Sequence, residues 1–480
     1  MQKQFLSNLI ITILLNLLVK PVALFAIDAS VQNRVGEAEY GLYFTLLNLT
    51  VIFNIFLDFG INNYTTKRIA QQTTNQANFF GSIMVFRLIL FILYAIVVSL
   101  TAILLGYGAR EFHILLFLVI NQLLILSIAF FRSHFSGLHL FKTDAIISIM
   151  DRFLLIVIAG YLLFISNSDL ITIDSFVYIQ TICYFITFIV GWTVLNKQIK
   201  GPFFHWDFKG SLEIIKQSLP YAALILLMLL YNRSDAVILE RIHVNGRIEA
   251  GFYAQGFRLL DALYMFGMIF AGLLFPMFSR LLKNAIDEVT PLLQTAGNLL
   301  VGGSIVIVTI SLFNAQFFLD LLYHNVNSSS VFSFKFLISC FIPICINFIF
   351  GTLLTANGNL KTLNVISFSA VVFSIGLNLF IIPGYGAVGA ALVALCTQSL
   401  VALIQMYYGL KCIQLKLSFK DFLPYVILIV SMILFGYNLQ LLQLNPLLAV
   451  CIFTLFGLFL LFVLSLIDIK NIKKIIFSKA

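Results

Sequence analysis

Apolar residues run in long blocks from one end of the chain to the other, broken only by short polar interruptions. A helix needs about 20 mostly apolar residues to cross the hydrocarbon of a bilayer. The blocks predict about fourteen such helices, near 5–27, 40–64, 79–106, 112–131, 144–165, 174–195 and 216–239, then 250–275, 292–318, 331–354, 361–382, 386–410, 422–442 and 446–467. The first block is too long for the apolar segment of a cleaved signal and reads as a retained helix. The connections leave no room for a sizeable extramembrane domain.

Composition agrees with this reading. Hydrophobic residues make up 61% of the 480 and charged residues 10%, against roughly 25% charged in a soluble domain. Lysine and arginine are unevenly placed. Connections on the side of the N-terminus hold nineteen of them, from Lys3 through Lys67-Arg68 and Lys411 to Lys479. The opposite side holds Arg34, Arg110, Arg241 and Arg247, with Arg233 at its border. The positive-inside bias therefore predicts a multi-pass protein of the inner (plasma) membrane with both termini cytoplasmic. Acidic residues lean outward, Asp28, Glu37, Glu39 and Asp169 among them. The net charge of +9 reflects that bias and contact with anionic membrane lipids, not nucleic-acid binding. Six cysteines lie mostly in apolar runs without a CxxC pair, which argues against a disulfide framework or a metal site.

The two halves resemble each other. Glu39-Tyr40-Gly41-Leu42-Tyr43 opens the second helix and Glu249-Ala250-Gly251-Phe252-Tyr253 opens the eighth, at an offset of 210. Shifting the first six helices by that offset lands close to helices seven to twelve. Six is even, so the repeat is parallel, about an axis along the membrane normal. The expected organisation is a six-helix bundle over 1–205, a second over 206–412, and two additional helices with a basic tail over 413–480. Two such bundles can expose a central cavity alternately to each side.

Charges inside the membrane cost about 2.5–3.5 kcal/mol each on insertion scales and mark functional positions. Lys20, Asp58, Arg87, Asp151, Arg152, Arg233, Asp235, Arg258, Asp261 and Lys335 lie in or at the rim of apolar runs. Snorkelling to water or pairing accounts for those near helix ends, Arg152 and Asp151 first. Lys20 is followed by Pro21, which kinks a helix. Arg258 and Asp261 stand three residues apart on one helical face. The substrate-binding candidates are therefore Lys20, Arg87, Arg233, Asp235, Arg258 and Asp261. A cavity with such a basic centre suits a diphosphate or acidic sugar, which a guanidinium grips through two oxygens at once.

Several short motifs resemble the polysaccharide flippases, the Wzx-type O-antigen branch of the multidrug/oligosaccharidyl-lipid/polysaccharide (MOP) exporter superfamily. They are Gly36 to Tyr43, Leu57-Asp58-Phe59-Gly60 before Lys67-Arg68, Ser218-Leu219-Pro220, Arg233-Ser234-Asp235, Ala250 to Ala254 running into Arg258-Leu259, and the segment Ile382 to Ala391. The resemblance implies an all-α, MATE-like fold of two six-helix bundles around a central cavity, with two further helices outside. It implies flipping of an undecaprenyl-diphosphate-linked oligosaccharide from the cytoplasmic to the periplasmic leaflet, alongside other polysaccharide-assembly proteins. No cofactor is expected, only coupling to H+ or Na+. The absence of a phosphate-binding G-x-x-x-x-G-K-[ST] loop agrees with drive by an ion gradient. A drug/cation antiporter or a lipid II flippase of the same superfamily is the alternative. A membrane enzyme acting on lipid-linked sugar is the alternative of a different class, but Asp169 and Asp174, close together in one connection, are not positioned as a catalytic pair.

Overall fold

A computed structural model of the chain describes residues 16, 18–59, 61–62, 65, 76–138, 140–166, 171–198, 208–415 and 419–467. Most of the expected first helix, Gly60, the Lys67-Arg68 pair, Asp169 and the basic C-terminal tail lie outside the described residues. Within them the secondary structure is helical, and eleven helices are long and apolar enough to cross a membrane. The protein is a multi-pass, all-α membrane protein. One of the eleven, Leu360–Cys412, is 53 residues long, which at about 1.5 Å per residue is about 80 Å, far beyond the roughly 30 Å of hydrocarbon. Gly386, at φ 52° and ψ −132°, breaks it where two spans were expected. Gly376 and Gly384 sit in helical backbone on the near side of that break, so the turn is made at one residue.

The chain forms two compact units, Met1–Gly251 and Phe252–Ala480. In the first, a π turn (Ala23–Asp28) leads into α1 (Ala29–Val35), α2 (Glu37–Ile52) and the short α3 (Ile55–Asp58). Then come α4 (Gln76–Leu104), α5 (Ala109–Gly137), α6 (Phe141–Phe164), α7 (Ile173–Gln198), α8 (Phe208–Ile242) and the start of α9 (Gly246–Asn284). Helix α2 is the centre of the unit. It is apolar all round and is buried along nearly its whole length, as such a helix must be in order to pack on several neighbours. It packs on α5 and α8, while α7 packs on α5 and α6. Opening the second repeat in sequence, α8 nevertheless belongs by its packing to the first unit. Packing and repeat order therefore divide the chain at different places.

The second unit continues through α10 (Val289–Phe313), α11 (Ala315–Leu322), α12 (Ser328–Ser339), α13 (Phe341–Ala356), α14 (Leu360–Cys412), α15 (Phe419–Leu441) and α16 (Pro446–Val463). Helices α12 and α13 pack on α14, and α15 and α16 lie against α10. That last contact is an apolar seam of Ile305, Val306, Ile310, Leu428, Met432 and Phe453. The two final helices are thus attached mainly along α10 and present broad apolar faces elsewhere, with Leu434, Leu455 and Phe459 exposed, as lipid-facing helices do.

Candidate functional site

The sequence Lys20-Pro21 predicts a disturbed helix, and the disturbance is specific. Proline lacks an N–H and its ring crowds the carbonyl four residues back. Just beyond it the helix widens into the six-residue π turn Ala23–Asp28, a form that recurs at functional sites. The turn carries Asp28 into the interior, 8% exposed, where the Tyr40 hydroxyl donates to its carboxylate at 2.5 Å. Asp28 was expected in an external connection. The helix instead runs on through the π turn and α1 to Val35, so Asp28 is helical and packed, and the local signal of the disturbance is Pro21.

Around this turn, α6 and α7 contribute a polar cluster inside the first unit. Arg152 lies 3.5 Å from Asp151 and 5.7 Å over the Tyr184 ring, with Tyr43 and Asp28 among its electrostatic neighbours. Lys20 is half-buried, and the charges that act on it are those of Arg132, Arg152 and Asp151. Arg132 is itself held by Asp144 at 2.6 Å. Gln180 donates to the Tyr43 hydroxyl at 2.8 Å, and Asn16 to Ser148 at 3.0 Å. Asp151 and Arg152, read from sequence as a snorkelling pair, therefore belong to the same charged interior as Lys20. The cluster can bind an anion through its cations while its carboxylates limit the net charge.

Arg87 has a different setting. It is 5% exposed, and its terminal nitrogens donate to Asp58 and Asn62 and to the Leu126 carbonyl, each at 2.7 Å. Its guanidinium also lies 4.4 Å over the Phe130 ring. These contacts tie α4 to α5 and to the break after α3, where Phe59 adopts a left-handed φ of 41°. Pairing, one of the two ordinary readings of an intramembrane charge, is what the structure holds here. Arg87→Ala takes the guanidinium from half-buried Asp58, and removing one partner of a buried pair costs about 3–5 kcal/mol. The expected result is a large fall in thermal midpoint in detergent, with Arg87→Lys recovering only part because an ammonium cannot span the three acceptors.

Arg233 and Asp235 lie on α8, which the Thr45 hydroxyl joins to α2 by donating to the Ala236 carbonyl at 3.3 Å. Arg233 donates to Asn48 Oδ1 at 3.3 Å, and Asp235 is 1% exposed. Arg258 and Asp261 are half-buried on α9 in the second unit. Of the six candidates, Lys20, Arg87, Arg233 and Asp235 thus sit in the first unit and the other two in the second.

Sequence reading also missed the contact that the repeated pentapeptide makes. A Cβ on Gly41 would fall on the Arg247 carbonyl oxygen and 2.7 Å from the Gly251 nitrogen; a Cβ on Gly251 would fall on the Glu37 carbonyl oxygen. Both pairs, 37 with 247 and 41 with 251, are separated by the repeat offset of 210. The N-terminal turns of α2 and α9 therefore cross at their glycines with local two-fold symmetry. Gln32 secures the crossing by donating to the Gly251 carbonyl at 2.9 Å.

Ion pairs ring the crossing. Arg110 binds Glu39, Arg247 binds Glu111 at 2.5 Å and Glu240 at 3.3 Å, and Arg241 also binds Glu240. Tyr107 donates to Glu240 at 3.2 Å beneath the Arg241 guanidinium, 3.6 Å from its ring centre. Burial, and then the Glu240 carboxylate, hold the Tyr107 phenol above its usual pKa, so it remains a donor.

Long apolar helices, a broken helix and a charged interior together define a multi-pass helical membrane protein. The chain belongs to the polysaccharide biosynthesis protein family, whose profile matches residues 5–282, more than half its length. No curated protein sequence matches it. Among solved structures it resembles the lipid II flippase MurJ in an inward closed conformation, with a TM-score of 0.72 and 16% identity over 95% of this chain and 98% of that one. It also resembles a multidrug resistance MATE family transporter in an inward-facing conformation, at 0.63 and 12% over 82% and 94%. A MOP superfamily transporter from Pyrococcus furiosus matches at 0.63 and 13% over 85% and 95%. At these identities the likeness is one of fold.

Proposed function

We propose that the protein is a secondary transporter that flips an undecaprenyl-diphosphate-linked oligosaccharide, a repeat unit of O-antigen, capsule or a related polysaccharide, from the cytoplasmic to the periplasmic leaflet of the inner membrane. The observation that carries this reading is the charged interior at the π turn. Lys20 and Arg152 supply cations in an apolar bundle, where an anionic diphosphate finds compensation that lipid cannot give. Arg258 is the corresponding candidate in the second unit. Family membership supports a role in polysaccharide assembly, and the asymmetry of lysine and arginine supports cytoplasmic termini.

Asp28 favours an ion-coupled mechanism. A buried carboxylate held by a tyrosine hydroxyl in a widened turn is a site where binding of H+ or Na+ can be linked to a change in helix geometry. The same observation is what a drug/cation antiporter would use, and the cations around Lys20 favour an anionic cargo.

Purified protein in sealed vesicles should move fluorescent lipid-linked oligosaccharide without ATP and should respond to an imposed H+ or Na+ gradient. An ATP requirement would refute secondary transport, and export of organic cations in its place would favour the antiporter. Asp28→Asn should remove the response to the gradient while leaving the protein folded.

A further inference from the structure

Where α10 ends and α11 begins, the second unit holds an open groove of about 400 Å³ roofed by the turn between α15 and α16. Its polar lining is uniform in kind. Asn314, Gln316, Gln440 and Gln443 bring amides and Asp320 a carboxylate, with no lysine, arginine or histidine in the lining. Gln316 donates to both Asp320 oxygens, at 2.8 and 3.0 Å, so the carboxylate is pre-oriented across one turn of α11. Gln440 donates to the Phe313 carbonyl at 3.2 Å, which fixes its amide. Phe313, Phe317, Leu439, Leu444 and Phe453 supply apolar walls.

Gln443 is the informative residue. It sits in the turn at φ 48°, a left-handed conformation that glycine adopts freely and that costs other residues about 1 kcal/mol or more. Its amide is exposed on the groove and makes no side-chain hydrogen bond among the described residues.

We propose that this groove binds a neutral, hydroxyl-rich saccharide. Amides and a carboxylate offer the mixed donors and acceptors that sugar hydroxyls require, and an aromatic face suits the apolar face of a pyranose. A phosphate or uronate would meet Asp320 without a compensating cation. An acyl chain would pack on the apolar walls but strip the four amides and the carboxylate of water without giving them partners. The volume lies in the range of about 300–1,000 Å³ for small-molecule sites.

The groove is at the end of α15 remote from Phe419 and Lys420; the 23-residue helix spans about 35 Å. On the topology proposed above, and resting on it, the groove opens outside, where a delivered glycan would emerge.

The test uses the full-length protein in lipid nanodiscs and saturation-transfer NMR with cellobiose, N,N′-diacetylchitobiose, cellobiuronic acid and phosphoethanolamine. Transfer is expected to the two neutral disaccharides and not to the uronate. Gln443→Gly and Gln316→Ala should each weaken it about three- to tenfold, the worth of one neutral hydrogen bond. Gln443→Gly relieves the backbone strain, so its thermal midpoint should hold or rise, which separates lost binding from lost fold. Absence of transfer to either neutral sugar, equal transfer to the uronate, displacement by phosphoethanolamine, or unchanged binding in both variants would each overturn the proposal.

The vesicle assay runs in parallel and reads the transport function separately. Binding without transport in the wild type would leave the groove and remove the flippase reading. If Gln443→Gly slows transport, the ligand is the glycan of the cargo; if it loses binding and transports normally, the ligand is free glycan.

Discussion

Replacing Gly41 with leucine should force apart the crossing of α2 with the start of α9 and lower the thermal midpoint sharply. The new side chain has to occupy the place of the Arg247 carbonyl, which is backbone and cannot swing aside. Overpacking of this kind costs about 1–3 kcal/mol, and more where nothing yields. Local two-fold symmetry adds a second expectation: Gly251→Leu should cost about as much, because its Cβ meets the Glu37 carbonyl in the same way. Gly376→Leu is the control, since a Cβ there meets nothing within 4 Å. An introduced Ala38→Cys should react faster with an impermeant maleimide in both variants than in the parent. Equal midpoints for Gly41→Leu and Gly376→Leu would show that the crossing bears no packing load.

The second large effect should come from Lys20. In cells that depend on this protein for surface polysaccharide, Lys20→Ala should abolish the polymer while immunoblots show normal protein. A lost charge-assisted hydrogen bond to a diphosphate predicts a fall of about ten- to a hundredfold in the transport rate. Lys20→Arg keeps the charge and should restore part of it. Normal polymer with Lys20→Ala would take Lys20 out of the cargo path and leave Arg258 as the residue to test. Arg87→Ala should behave differently, losing protein level along with polymer, because its guanidinium holds Asp58, Asn62 and the Leu126 carbonyl together.

Those two arginine and lysine positions look alike in the sequence, each a lone cation in an apolar run. Hydropathy reads the cost of placing a charge at a given depth, and that cost is nearly the same for both. It does not read what the charge meets. Asp58 is 29 residues from Arg87 along the chain, and only the packing of α4 against the break after α3 brings them together.

The spans and the multi-pass character were legible from sequence because each depends on local hydropathy. So was the disturbance at Lys20-Pro21, since proline acts within its own turn. Three things waited on the tertiary structure. Asp28 turned inward because the helix after Pro21 widened by a π turn instead of merely kinking. Asp151 and Arg152 joined the interior of the first unit because α6 packs on the π turn and α7 on α1 beyond it. Gly41 and Gly251, visible in sequence only as a repeated letter 210 positions apart, proved to face each other across a crossing where neither can carry a side chain. Sequence alone determined which segments cross the membrane; the tertiary structure decided which polar groups those segments bring together, because that depends on contacts between residues far apart in the chain.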